Sequence, residues 1–288
     1  MSFFLRGFRH FRLALWGAFA HDALSIAKGA AYSSMMTVFP GLLAFAGLLA
    51  KERQLTRYTQ EISYALGVIL PPGSAQLAQR YFDARSNRPM HIILSSGAVG
   101  IFAATGVIIS WMEGFRCAYG IEGNPWNIVK ERIIAILLVP SALVPMFFAT
   151  SLVAFGTQIE DWISARIAYE LRPAISIVWT ATEWIIALTT SVLVLALVYH
   201  FAIPHTRPFQ RVLPGAGLAT ALWFPVTLVF GWYVTHYANY AVIYGSLGAA
   251  IALLVWLYII SLVVLLGAEF NATIYGPKGK QLPTKSFY

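Results

Sequence analysis

Glu183 is the residue of this chain whose type and position point most directly to a chemical role. It is the one Asp, Glu, Lys or Arg between Pro173 and Thr206, a stretch that is otherwise uncharged and largely apolar. A carboxylate in such surroundings must face a polar interior, a cavity or the boundary of a membrane, and it can bind a proton or a cation. Trp179 and Trp184 flank it, so the alternative is a carboxylate in an aromatic belt near lipid headgroups.

Other polar side chains in apolar surroundings are candidates for a polar pathway through the protein. Hydroxyl groups precede Pro40, where they either line such a pathway or bond to their own helix. An uncharged turn carries an asparagine and two tyrosines, which contact a substrate or pack as a re-entrant segment. An acid and an amide end the last apolar stretch, where they anchor a helix or take part in function. With Glu183, the candidates are Tyr32, Ser33, Ser34, Thr37, Pro40, Asn239, Tyr240, Tyr244, Glu269 and Asn271.

Catalytic patterns are missing from the sequence. Metal-dependent RNA hydrolysis needs carboxylates or histidines that hold two ions close together, but the twelve acids are scattered along the chain. His200 and His205 are separated by Pro204 and do not have the spacing of a helical ligand pair. The sequence also has no phosphate-binding glycine loop, nucleophile elbow or zinc-protease motif. We therefore predict that the protein is not an enzyme and has no cofactor, no metal site and no nucleic-acid partner.

Long apolar stretches must position these polar residues. Between Arg211 and Glu269 the chain runs for 57 residues without Asp, Glu, Lys or Arg, which is enough for two membrane helices and a turn. Only 11% of all residues are charged, far below the usual share of about a quarter in soluble domains. We predict an all-α polytopic membrane protein, a single membrane domain over 1–288, with spans at about 29–50, 89–112, 133–156, 177–203, 213–236 and 244–268.

Two segments outside the spans have helical character of their own. In residues 1–28, five large apolar side chains share one helical face and three arginines lie outside it, which predicts a helix on the membrane surface. A cleaved leader peptide is the alternative, although the apolar core is short for one. Residues 51–88 are broken by Pro71 and Pro72 and predict a small helical cap outside the membrane.

The distribution of Lys and Arg predicts the orientation. Twelve of the twenty basic residues fall in the two terminal segments and in the second and fourth connections, on one side of a six-span protein. The first connection, 51–88, disagrees because it carries six, but long translocated segments respond weakly to this bias. We expect both termini to face the cytoplasm and the basic segments to meet anionic lipid.

Small residues recur at helical spacing inside the spans. Such spacing lets two helix backbones approach closely in lipid, where packing provides the cohesion between helices. The residues expected at such contacts are Ser96, Gly100, Ala104, Gly245, Gly248 and Ala249.

The last span and its approach carry a family resemblance. The motifs are Leu213-Pro214-Gly215-Ala216, Tyr244-Gly245-Ser246-Leu247-Gly248-Ala249, Trp256-Leu257-Tyr258 and Gly267-Ala268-Glu269-Phe270-Asn271-Ala272. Together with Ala31-Tyr32 and Pro40, they resemble the YihY/virulence factor BrkB family, formerly labelled ribonuclease BN. This resemblance implies a six-helix protein of the bacterial inner membrane, and it singles out Glu269 and Asn271. Thr37 replaces a common serine but keeps the hydroxyl group. Cys117 to Gly120 depart from the family pattern, so no role is carried onto these four residues.

Two functions fit these observations. The first is transport or flipping of an anionic amphiphile or lipid, which the intramembrane polar groups and the basic segments favour. The second is a non-catalytic role in envelope integrity or assembly, in which the cap at 51–88 binds envelope proteins.

Overall fold

The structure, a computed structural model, describes residues 2–51, 90–164, 172–204, 208–236 and 246–276. These residues form seven α-helices and one 3₁₀ turn, with no strand among them, so the all-α prediction is confirmed. The expected cap and the residues Asn239, Tyr240, Tyr244 and Gly245 lie outside the described ranges. The helices are α1 (Ser2–Ala20), α2 (Ala23–Lys51), α3 (Met90–Tyr119), α4 (Ile128–Ser164), α5 (Arg172–Ala202), α6 (Leu213–His236) and α7 (Ser246–Tyr275).

Within the described ranges, five helical segments are long and apolar enough to cross a membrane. They are Met90–Tyr119, Ile128–Ala149, Ser176–Ala202, Phe209–Val234 and Gly248–Tyr275. The polytopic helical membrane protein is thus confirmed, whereas the sixth span remains a prediction. That span would be α2, which has 29 residues but carries Lys28 and several hydroxyl groups in its first half.

Successive helices run in alternating directions, so one end of the bundle gathers several helix termini. At this end, which we call the basal end, α2, α4 and α6 begin and α3, α5 and α7 finish. The reversal after α3 depends on Gly120, whose φ of 62° lets its N–H and that of Ile121 bond back to the last turn of the helix. Helix α1 also lies here and packs mainly on α7.

The best-packed core lies toward the basal end. Met112 and Phe115 of α3, Tyr199 of α5 and Leu265 of α7 are all buried there. The ring centroids of Phe115 and Tyr199 are 5.1 Å apart in an edge-to-face contact, which aromatic pairs prefer. A smaller cluster around Phe230 and Trp256 joins α6 to α7 farther from the basal end.

Helices α2 and α3 pack through a row of small residues. A methyl group added at Gly29 would lie 3.5 Å from Ser110 Oγ, and one added at Gly106 would lie 2.8 Å from Ser33 Oγ. Further along, a methyl at Gly100 would lie 3.4 Å from the backbone nitrogen of Gly41. An added methyl would be in ordinary contact at Gly29 and crowded at Gly106 and Gly100, so the two backbones lie close together along this row. Among the other residues expected in packing, Ser96 and Gly248 are buried and Ala104 and Ala249 are half-buried.

Helix α1 presents two different faces. Ala14, Gly17 and Ala18 are buried against the bundle, whereas Phe8 and Phe19 on the opposite face are exposed. The helix ends in a turn at His21 and Asp22, where Asp22 adopts a φ of 57° and accepts a hydrogen bond from Ser25 Oγ. The small residues allow α1 to lie directly on α7, and its aromatic residues are left facing outward.

Candidate functional site

A shallow lateral groove lies between α2 and α3. It has a volume of about 380 Å³ and is lined by Phe39, Pro40, Leu43, Ser95, Ser96 and Val99. The ring of Pro40 provides no N–H for the helical ladder, and close contact between α2 and α3 continues just beside it, at Gly100. The groove therefore lies where a proline interrupts the ladder of one helix and small residues shape the other.

The two serines of the groove do not make it a strongly polar site. Ser95 Oγ donates to the carbonyl of Ile92 at 3.1 Å, and Ser96 Oγ donates to the same carbonyl at 2.7 Å. Both hydroxyl groups thus donate to their own helix, α3, and the rest of the groove lining is hydrocarbon. Such a surface suits an acyl chain better than a charged headgroup.

The hydroxyl groups of α2 mostly bond within their own helix. Ser34 Oγ donates to the carbonyl of Ala30 and Thr37 Oγ1 donates to the carbonyl of Ser33, both at 2.8 Å. Tyr32 is exposed, and Ser33 lies against Gly106 of α3. Of the candidates on this helix, Pro40 alone lines the groove, and a pathway role for the others remains a prediction.

Glu183 lies on α5 and has a partner on its own helix. Trp179 Nε1 donates to Glu183 Oε1 at 2.6 Å, and the glutamate is half-buried. Helix α5 packs mainly against α4 and α6, so the structure does not bring Glu183 to the groove between α2 and α3. Its proposed role in binding a proton or a cation remains a prediction.

Glu269 joins the end of α7 to helix α1. Its Oε1 lies 2.7 Å from Nδ1 of His21, and the Glu269 side chain is 5% exposed. A methyl group added at Gly17 would lie 2.7 Å from Oε2 of Glu269, so the glycine lets α1 approach this carboxylate without displacing it. Neither Gly17 nor His21 is identifiable from the sequence, because both are separated from Glu269 by almost the whole chain.

Asn271 connects α7 to the start of α6. Its Oδ1 accepts a hydrogen bond from the backbone N–H of Gly215 at 2.7 Å, and its Nδ2 donates to the carbonyl of Val212 at 3.0 Å. The residue is fully buried, so these bonds satisfy backbone groups at a helix start that water does not reach. Tyr199 adds a third link, because its hydroxyl donates to the carbonyl of Val264 at 2.6 Å.

An ion pair joins α3 to α4 at the basal end. Arg116 Nη1 lies 2.5 Å from Glu131 Oε1, and Asn124 donates to the other carboxylate oxygen at 2.7 Å. Glu131 is buried, and both of its oxygens have partners. Across the part of the chain that the structure describes, no three His, Cys, Asp or Glu side chains lie close enough to hold one metal ion. The basal contacts join α3 to α4, α1 to α7 and α6 to α7.

Comparison with known proteins places this architecture in a family. Residues 15–286 match the family described as Virulence factor BrkB. The chain is 27% identical over 272 residues to the "Putative ribonuclease-like protein YfkH" of Bacillus subtilis (strain 168), covering 93% of this chain and 95% of that protein. It is 25% identical over 282 residues to a "UPF0761 membrane protein" of Xanthomonas oryzae pv. oryzae (strain PXO99A), covering 94% of this chain but 63% of that protein.

A second Xanthomonas relative is similar to the same degree. The chain is 24% identical over 281 residues to the "UPF0761 membrane protein XAC0937" of Xanthomonas axonopodis pv. citri (strain 306), of which it spans 63%. No solved structure matches the chain. The expected resemblance is confirmed over nearly the whole length, and the chain belongs to the virulence factor BrkB family of membrane proteins.

Proposed function

We propose that this protein moves an anionic lipid or a similar amphiphile between the two sides of the membrane. The observation that carries the proposal is the lateral groove between α2 and α3, whose lining of Phe39, Leu43 and Val99 suits a hydrocarbon chain. A groove on the flank of a bundle gives an amphiphile access from the lipid phase, so the substrate need not pass through water.

The charge of the chain favours an anionic substrate. The formal net charge is +8, and Lys28 near the start of α2 and Arg211 just before α6 lie toward the basal end. Basic residues beside the membrane attract anionic lipid by about 1 kcal/mol each near the surface. We propose that this end faces the cytoplasm, in the bacterial inner membrane, with both chain termini on that side.

Filling the groove tests the transport function. We expect Ser95→Trp to slow the movement of a fluorescent phosphatidylglycerol in reconstituted vesicles by about tenfold, equivalent to about 1.4 kcal/mol in the barrier. Leu94→Trp is the matched control, because Leu94 is exposed on the same turn of α3 but does not line the groove. Its flux should stay within about twofold of the wild type, as for most exposed substitutions. Equal flux in all three proteins would remove the groove from the mechanism, and no flux in the wild type would refute transport.

The proposal assigns no catalytic step to this chain. The word "ribonuclease-like" in the name of the Bacillus relative describes that protein, whereas the Xanthomonas relatives are named as membrane proteins. The alternative function, an envelope-assembly role through the segment 51–88, remains a prediction because that segment lies almost entirely outside the described residues.

A further inference from the structure

Arg132, in the second turn of α4, places its guanidinium against α3. Its Nη1 donates to Thr105 Oγ1 at 2.9 Å, and its Cζ lies 5.1 Å from the centroid of the Phe102 ring. Thr105 is completely buried, and its hydroxyl donates a hydrogen bond to the carbonyl of Phe102 at 2.6 Å. Its oxygen is therefore free to accept the hydrogen bond from the arginine. The guanidinium is therefore held by a hydroxyl oxygen and an aromatic face.

The side chain of Arg132 is directed toward the interior of the membrane. Its neighbour Glu131 bonds to Arg116 on α3, whereas Arg132 bonds to Thr105, eleven residues or about 16 Å further along the same helix. Thr105 lies eight residues, about 12 Å, beyond Glu113, the acidic residue nearest to it on α3. A long basic side chain at a membrane boundary ordinarily turns its charge toward water, and here the charge is turned the other way.

The charge of Arg132 has no carboxylate partner in the part of the chain that the structure describes. The ion pairs found there are Arg116 with Glu131 and His21 with Glu269. Both Arg116 and Arg132 take part in the α3–α4 contact, but the partner of Arg116 is a carboxylate whereas that of Arg132 is an uncharged hydroxyl. A cation in apolar surroundings is stabilised when an anion reaches it.

The surface around the guanidinium faces lipid. Phe102 is 65% exposed and Ile101 is 48% exposed, and both belong to a segment long and apolar enough to cross the membrane. An anion that reaches Arg132 past these side chains must itself carry hydrocarbon. The planar guanidinium has five N–H donors in a fork that matches phosphate oxygens, and one of them is used by Thr105.

We propose that Arg132 binds the phosphate group of a membrane phospholipid on the lipid-facing surface of α3 and α4. Thr105 and Phe102 hold the guanidinium in place, and its remaining N–H groups take the phosphate oxygens. Ser95 of the groove and Phe102 are seven residues apart on one face of α3, about 10 Å, so a single lipid spans the two features. The binding site does not rest on transport, because a lipid bound here need not be moved.

Lipid binding to the purified full-length protein tests the site. Dissociation constants for phosphatidylglycerol are measured in detergent by native mass spectrometry for the wild type, Arg132→Gln and Lys130→Gln. Losing one charge-assisted contact predicts at least about tenfold weaker binding for Arg132→Gln. Lys130→Gln is the matched control. It removes a positive charge only two residues from Arg132, but the Lys130 side chain is exposed and lies over Trp126. Its dissociation constant should stay within about twofold of the wild type. Equal binding by the wild type and Arg132→Gln overturns the proposal.

Two ligands and a second variant complete the test. A diacyl glycolipid without phosphate should bind the wild type weakly, and inorganic phosphate should not displace phosphatidylglycerol. A glycolipid as tight as phosphatidylglycerol, or ready displacement by inorganic phosphate, excludes the lipid phosphate as the ligand. Should Arg132→Gln fail to fold, Thr105→Val keeps the charge but removes the acceptor that holds it, and we expect about threefold weaker binding. Unchanged affinity in Thr105→Val overturns the site as described.

Discussion

At the scale of single residues, the polar groups of the last helix act as links between helices. Asn271 satisfies backbone groups at the start of α6, and Glu269 reaches His21 of the N-terminal segment. The Asn271 bonds and the Glu269 carboxylate are buried, whereas His21 is partly exposed, and a buried polar group without its partner carries the full cost of its desolvation. The two residues that the family resemblance singles out thus have structural partners, and a role for them in a transport pathway remains a prediction.

The link between His21 and Glu269 predicts coupled losses of stability. His21→Ala leaves the Glu269 carboxylate buried without this partner, so its melting temperature in detergent should fall clearly below that of the wild type. Adding Glu269→Gln to His21→Ala should then cost little more, because the charge that needed the partner is gone. A double-mutant cycle should give a coupling free energy of about 0.5–3 kcal/mol. Strictly additive effects would show that the contact does not stabilise the fold.

At the scale of elements, close backbone contact between α6 and α7 organises the basal end. A methyl group added at Gly267 would lie 2.6 Å from the carbonyl oxygen of Gly215, and one added at Gly215 would collide with the carbonyl of Gly267. Backbone atoms cannot move aside as a flexible side chain can. The contact therefore fixes the distance and the relative axial position of α6 and α7. Asn271 makes its two hydrogen bonds only in that arrangement.

This contact predicts different outcomes for two glycines on the same helix. Gly215→Ala should destabilise the protein by about 1–3 kcal/mol, because the added methyl overpacks a backbone contact. Gly217→Ala is the matched control, since nothing lies within 4 Å of the position its methyl would take. Alanine also favours the helix more than glycine does, so this variant should be as stable as the wild type or slightly more stable. Thermal unfolding followed by tryptophan fluorescence compares the two, and equal melting temperatures would contradict the contact.

At the scale of the whole molecule, the hydrogen bonds that join distant helices and the lateral groove lie in different parts of the bundle. Links between distant parts of the chain, such as His21 with Glu269 and Gly215 with Asn271, gather at the basal end. The groove lies further along α2 and α3, near Pro40. The groove that we propose for lipid is therefore separate from the hydrogen bonds that join the helices at the basal end.

The topology of the whole chain predicts the location of its ends. If α2 crosses the membrane with the five apolar segments, an even number of crossings puts both termini on one side. Reporter fusions after residue 2 and after residue 288 should therefore both be active in the cytoplasm, as the basic residues of the terminal segments favour. Fusions that report opposite sides would show that α2 does not span, and two external signals would reverse the orientation.

The sequence by itself determined that this chain is a helical membrane protein of a recognisable family. The length of an apolar segment and its lack of charge can be read locally along the chain. An uncharged run of 57 residues can cross a lipid bilayer only as helices or as a closed barrel, because its backbone groups must bond internally. The signature around Glu269 and Asn271 is equally local. These inferences needed no knowledge of which helices are neighbours.

Only the tertiary structure decided what those residues contact. Helices such as α6 and α7 are apolar around their whole circumference, so no periodicity marks the face that meets a partner. The rotation of each helix about its axis and its position along its neighbour are set by small residues and by hydrogen bonds between distant segments, such as Gly215 with Asn271 and Arg132 with Thr105. In sequence Arg132 is one more basic residue at a membrane boundary, and the position of Thr105 on the neighbouring helix is what directs its charge inward.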